Sequence, residues 1–181
     1  RLAFHADFIL ILLAPFYLLW EDPRMLLLIQ TVVLAFGAVF VYKITNNIIK
    51  SKNLSLVFAL AYLLNPATQY TNLYDFHPVT LATTFLLGAF YFLINKRYLW
   101  FLFFAVLSGI TKEQVWVIIA LFGLYIFFFK PTRHSGDQAK PETPESPSFK
   151  ALRDSGQARM TAKKIFGLII TLVSVLIFYF L

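Results

Sequence analysis

Between Arg24 and Lys43 the chain carries no charged side chain, and nearly every residue between them is aliphatic or aromatic. A stretch of that kind is satisfied by protein packed all round it or by lipid. Five more apolar runs follow, and a chain of 181 residues has too little polar surface to cover them all. Hydrophobic residues make up 59% of it and charged residues 14%, against about 45–50% and about 25% in soluble domains. The composition therefore points to lipid as the solvent.

The runs are 25–44, 54–70, 79–94, 98–110, 115–129 and 165–181. A hydrocarbon core of about 30 Å takes about 20 helical residues. The first run meets that length, whereas 98–110 reaches only about 20 Å. Either Lys96 and Arg97 snorkel and lengthen it, or its far end stops below the membrane surface. The segment 6–20, with Pro15 at its middle, is apolar on all sides and short for a span. The expected fold is all-α: a polytopic transmembrane bundle of about six spanning helices plus one short N-terminal re-entrant or interfacial helix.

The charges between the runs alternate. Lys43, Lys50 and Lys52 follow the first run, Lys96 and Arg97 the third, and eight Lys/Arg lie in 130–164 after the fifth. The intervening loops hold Arg24, no base at all, and Lys112. The positive-inside rule then puts loops 45–53, 95–97 and 130–164 in the cytoplasm of a plasma-membrane protein. Residues 130–164, rich in Pro, Ser, Thr and mixed charge, read as a flexible loop, with a weaker option that 149–164 lies on anionic headgroups. They divide a membrane domain at 1–129 from a further helix at 165–181. Both ends read as cut, since residue 1 is Arg and the last run stops inside a helix.

Several function classes drop out. No cysteine is present, so thiol catalysis and disulfide frameworks are excluded. The net charge of +7 is spread over membrane loops, not over a nucleic-acid-binding face. Gly-rich phosphate loops, nucleophile elbows and zinc-protease motifs are missing.

On this topology the external face collects Glu21, Asp22, Asp75, His77, Lys112 and Glu113, joined by His5 and Asp7 if 6–20 does not cross. Ionisable groups near hydrocarbon pair or line a wet cavity. Glu21-Asp22-Pro23-Arg24 has the makings of a helix entry, and Asn65-Pro66 of a helix bend or end. Tyr74-Asp75-Phe76-His77-Pro78 fits a capped helix start, but a cap uses one of Asp75 and His77 and leaves the other for function. Thr111 and Gln114 match a capping box, which leaves Lys112 opposing the helix dipole. Lys112 either receives a phosphate oxygen or pairs with Glu113 or Asp75. His5, Asp7, Asp75 and His77 together could supply four ligands to a divalent cation; no other cofactor is called for.

His5 and Asp7, Leu12-Leu13-Ala14-Pro15, Tyr17, Gln30, Asn72 to Pro78, and Lys112-Glu113 together resemble a prokaryotic family of multispanning membrane proteins, domain-of-unknown-function family 2079. That family is in turn distantly similar to the C-type (GT-C) glycosyltransferases. The pattern is departed from at Gln114, where a further acid is expected, and at Asp7-Phe8, where a Ser-Pro-like step is. The resemblance covers about residues 1–129 and implies a many-helix fold with an external active site. There a sugar leaves a polyprenyl-phosphate donor for a lipid, glycan or protein acceptor. It implies Asp75, His77 and Asp7 on the catalytic side, and Lys112, Glu113 and His5 on the substrate-binding side. It also implies a principal catalytic acid upstream of Arg1, so that this stretch alone is inactive. A transporter or lipid flippase, or a non-catalytic membrane subunit, would use the same polar residues differently.

Overall fold

A run of leucine, valine and phenylalanine makes a helix for as long as nothing stops it. Near the N-terminus that helix starts where the Asp22 carboxylate accepts a hydrogen bond from the Arg24 N–H at 2.8 Å. It stops where Lys50 turns left-handed, φ 59°. The computed structural model of the chain describes residues 8–128 and 147–180. Among them it has eight helices and no strand: α1 (Ile9–Tyr17), α2 (Arg24–Ile49), α3 (Lys52–Leu63), α4 (Pro66–Tyr74), α5 (Pro78–Ile94), α6 (Tyr98–Gly109), α7 (Val115–Phe128) and α8 (Pro147–Phe180). The fold is all-α, as the apolar runs require.

Two stretches are long and apolar enough to cross a bilayer by length and composition, Arg24–Ile49 and Met160–Tyr179. Helices α3, α5, α6 and α7 are apolar but shorter. The run 54–70 is not one helix. Pro66 lacks the N–H that would continue α3, and the Asn65 side chain accepts from the Ala67 N–H at 2.9 Å to start α4 afresh. Helix α1 covers 9 residues, about 14 Å, so by itself it does not traverse the hydrocarbon. Residues 147–164, expected in a flexible loop, belong to the 34-residue α8. Ala, Arg, Lys, Gln and Met are strong helix formers there, and Pro147 stands at the first helical position, where its missing N–H costs nothing.

The chain divides into two compact units, Arg1–Val115 and Trp116–Phe180. In the first, α2 packs on α3 and α5, and α5 on α6. Polarity there is inverted relative to a soluble protein. Leu28, Val32 and Phe36, one turn apart on α2, are 51%, 58% and 57% exposed, whereas Gln30, Ser55, Thr84 and Ser108 are buried. Lipid gives helices no hydrophobic reason to associate, so close packing and interhelical hydrogen bonds carry the contact. Thr84 Oγ1 donates to the Val33 carbonyl at 2.8 Å and Tyr62 Oη to the Leu34 carbonyl at 3.2 Å. Gly37 makes room for both, because a Cβ there would collide with Tyr62 Oη and the Thr84 hydroxyl.

In the second unit α7 and α8 cross at two glycines. A Cβ on Gly123 would sit 2.8 Å from the Gly167 carbonyl oxygen, and one on Gly167 would sit 2.7 Å from that of Gly123. Thr171 Oγ1 donates to the Ala120 carbonyl at 3.3 Å across the same crossing.

Candidate functional site

The first unit has two ends. The starts of α2 and α5 and the end of α6 lie at one of them, with α4 and the loops 64–77 and 110–114. The loops 50–51 and 95–97 lie at the other. Of the polar residues singled out in the sequence, the described ones, Glu21, Asp22, Asp75, His77, Lys112 and Glu113, lie at the first end.

Its organiser is Gln30, fully buried one and a half turns into α2. Its Oε1 accepts from the His77 N–H at 3.0 Å, and its Nε2 donates to the carbonyls of Asp75 at 3.3 Å and Thr71 at 3.4 Å. One amide thus holds the segment that joins α4 to α5. Next to it, Thr31 Oγ1 donates to Asn72 Oδ1 at 3.1 Å. Sequence reasoning did not place Gln30 in the site. The signal was present, because an amide inside an apolar span must find buried partners.

Within that segment Asp75 Oδ1 accepts from the Phe76 N–H at 2.7 Å, so the carboxylate shapes its own turn. Both Asp75 and His77 are exposed. His77 stands at the N-cap of α5 without a side-chain cap bond, so the capped start lies in the backbone and Pro78, not in the imidazole. His77 Nδ1 lies 3.3 Å from the Asp75 carbonyl. A carbonyl only accepts, so a hydrogen bond between them requires the tautomer with the proton on Nδ1, which makes Nε2 the accepting nitrogen.

Phe76 turns inward. It packs on a cluster of Ile9, Leu13 and Leu81 that also takes in Leu26, Ile29, Leu107 and Ile110. Ile110 leads into the turn carrying Lys112 and Glu113, both half-buried. The Asp75–His77 loop and the Lys112–Glu113 turn therefore share one apolar floor. Ile9 closes it, its N–H donating to the Ile110 carbonyl at 3.1 Å. His5 and Asp7 lie outside the described residues; Ile9 fixes the chain just after them beside the Lys112 turn.

The capping box expected at Thr111 and Gln114 does not form. α7 begins at Val115, and Thr111, fully buried, donates its hydroxyl to the Ser108 carbonyl at 2.6 Å. Thr111 finishes α6, and Lys112 sits in the turn ahead of α7, where Val115 N–H donates to the Lys112 carbonyl at 3.1 Å. Among the described residues no ion pair joins Lys112 to Asp75; Arg24 and Asp22 approach to 4.0 Å at the start of α2. Nor do three metal-ligating side chains cluster among the described residues, and the four-ligand arrangement needs His5 and Asp7. What the shared floor brings together is two backbone segments, the loop that carries Asp75 and His77 and the turn that carries Lys112 and Glu113.

No curated protein and no solved structure matches the chain. The family described as "Predicted membrane protein (DUF2079)" matches residues 1–181, in keeping with the apolar exterior and small polar interior of the first unit. The chain belongs to that family of membrane proteins.

Proposed function

We propose that the protein is a GT-C-like transferase that moves a sugar from a polyprenyl-phosphate donor, at a site on the external face of the plasma membrane. It crosses that membrane about six times, through α2, α3, α5, α6, α7 and the 160–179 part of α8, with loops 45–53, 95–97 and 130–164 in the cytoplasm. The observation that carries the reading is the convergence of the Asp75–His77 loop and the Lys112–Glu113 turn on one apolar floor, at the end of the first unit away from its lysine-rich loops. The shortness of α6, 12 residues or about 18 Å, supports it further. A helix of that length leaves its end recessed below the headgroup plane, where a lipid-borne phosphate lies.

In this reading Asp75 or Asp7 acts as general base on the acceptor, with His77 as the neighbouring proton carrier. Lys112 offsets charge developing on the departing lipid phosphate, and Glu113 and His5 contact the donor. The rival reading, a transporter or flippase, draws on the helix break at Asn65-Pro66, since interrupted helices line translocation paths. The test is binding of a polyprenyl phosphate and of the matching polyprenol to the detergent-solubilised protein. The phosphate should bind and the alcohol should not, and Lys112→Ala should weaken binding about tenfold, or about 1.4 kcal/mol, at unchanged unfolding temperature. Equal binding of the two lipids, or no effect of Lys112→Ala, overturns the assignment. Movement of labelled lipid across vesicles without sugar transfer selects the rival.

A further inference from the structure

The other end of the first unit carries Lys43, Lys50, Lys52, Lys96 and Arg97, all exposed. No acid of that unit accompanies them, because the sequence has no Asp or Glu between Asp22 and Asp75 or between Asp75 and Glu113. The two loops that hold them are tied together: Asn47 Nδ2 at the end of α2 donates to Asn95 Oδ1 at the end of α5, 3.1 Å away. Lys50 follows Asn47 by one turn and Lys96 follows Asn95 directly, so the bond sets their backbones side by side.

Both lysines occupy left-handed backbone, each with φ 59°. Around Lys96 the bonds are those of a Schellman turn, with Arg97 N–H donating to the Phe92 carbonyl at 2.9 Å and Lys96 N–H to the Leu93 carbonyl at 3.0 Å. Glycine or asparagine is the usual occupant of that position, since a Cβ is disfavoured there. Lysine stands at both such positions. Aromatic rings mark the same level. Lys43 Nζ lies 5.7 Å from the Tyr91 ring centroid, and the exposed Trp100 stacks on Phe92 at 5.8 Å. Tryptophan and tyrosine beside lysine and arginine are what chains place at headgroup depth.

We propose that the paired loops at 47–52 and 95–97 form a binding site for the headgroup of an anionic phospholipid, with the phosphodiester between Lys50 and Lys96–Arg97 and the acyl chains against Trp100 and Phe103. The cations lack a counter-charge in their own unit, they are held together by a hydrogen bond, and they flank exposed apolar rings, which suits a ligand that is anionic at one end and apolar at the other. The site does not depend on the transferase reading.

The test is thermal unfolding of the whole chain in nanodiscs of phosphatidylcholine and of an equimolar phosphatidylcholine–phosphatidylglycerol mixture. Phosphatidylglycerol should raise the unfolding temperature by about 3 °C or more. The triple variant Lys50→Gln, Lys96→Gln, Arg97→Gln removes the three charges while keeping unbranched polar side chains and the backbone demand, and should lose at least half of that rise. Lys50→Arg with Lys96→Arg, which keeps the charge, should retain it. Equal unfolding temperatures of the unaltered chain in the two lipids, or a full rise in the triple variant, overturns the proposal. So does a rise of the same size from inorganic phosphate in pure phosphatidylcholine, which would make this a soluble-anion site.

Discussion

The two ends of the first unit are built on opposite plans. At the polar end, hydrogen bonds reach far along the chain: the Gln30 side chain holds the backbone of Thr71, Asp75 and His77, the Ile9 N–H meets the Ile110 carbonyl, and the Thr31 and Asn72 side chains meet. Carboxylates, an imidazole and cations are mixed there. At the basic end the described loops are tied by the Asn47–Asn95 bond, and the charges are of one sign and point to solvent. The first plan fixes relative positions, which a site for chemistry needs. The second displays charge and asks little of geometry, which suffices for orientation in a membrane and for headgroups. A protein with one such end on each side of a bilayer has its specificity on one face and its anchoring on the other.

The comparison breaks most completely if the two ends face the same compartment. Cysteines introduced singly at Ser51 and Thr71 should be labelled by an impermeant maleimide from opposite sides of sealed vesicles. Labelling of both from one side would mean that α3 and α4 do not carry the chain across, and the assignment of faces would fall.

The next largest effect is expected inside the polar end. Gln30→Leu is close in volume but strands the His77 N–H beside an apolar helix. Each buried group left unpaired costs about 1–3 kcal/mol, so the variant should unfold at a clearly lower temperature, with position 76 newly reactive in a Phe76→Cys background. At the basic end, Asn47→Ala removes one exposed hydrogen bond and should cost no more than about 0.5–1 kcal/mol in the same detergent. Comparable losses at Gln30 and Asn47 would show that the two ends are equally constructed.

How much of this was legible follows from which interactions are local. The apolar runs are local, and they delivered the helices. Asn65-Pro66 was visible as a bend or end, but only the Asn65 cap on Ala67 decides for an end. Thr111 and Gln114 have the spacing of a capping box, yet the Ile110 carbonyl is engaged by Ile9, a hundred residues earlier in the chain, and Thr111 is absorbed by Ser108. No local pattern could show the Ile9 contact. The proline-rich composition of 131–147 masked the helix formers after Pro147. In the site, Asp75, His77, Lys112 and Glu113 were found because charge is conspicuous in an apolar chain. Gln30, which organises more of the geometry than any of them, entered only through the family resemblance and was given no role, because an amide is quieter than a charge.

The smallest effect runs in the opposite direction and separates the two plans most finely. A lysine at φ 59° brings its Cβ against the neighbouring carbonyl, at about 1–2 kcal/mol. Lys50→Gly or Lys96→Gly removes that strain, but glycine also widens the unfolded ensemble, which costs about 0.4–1 kcal/mol. The balance lies between about zero and a gain of about 1.6 kcal/mol for either variant, at most about 3–6 °C in unfolding temperature for a chain of this size, in a neutral detergent. Asparagine tolerates the left-handed region without glycine's extra freedom, so Lys50→Asn and Lys96→Asn should do at least as well. In anionic lipid the sign should reverse, because the strain is still relieved while the attraction of the ammonium for the headgroup is lost. A variant more stable than the unaltered chain in neutral detergent and less stable in phosphatidylglycerol would show that charge display, not backbone fit, holds lysine at these turns. If the variants gain in both media, the basic end is simply strained, and the contrast between a positioned end and a displayed one loses its second half.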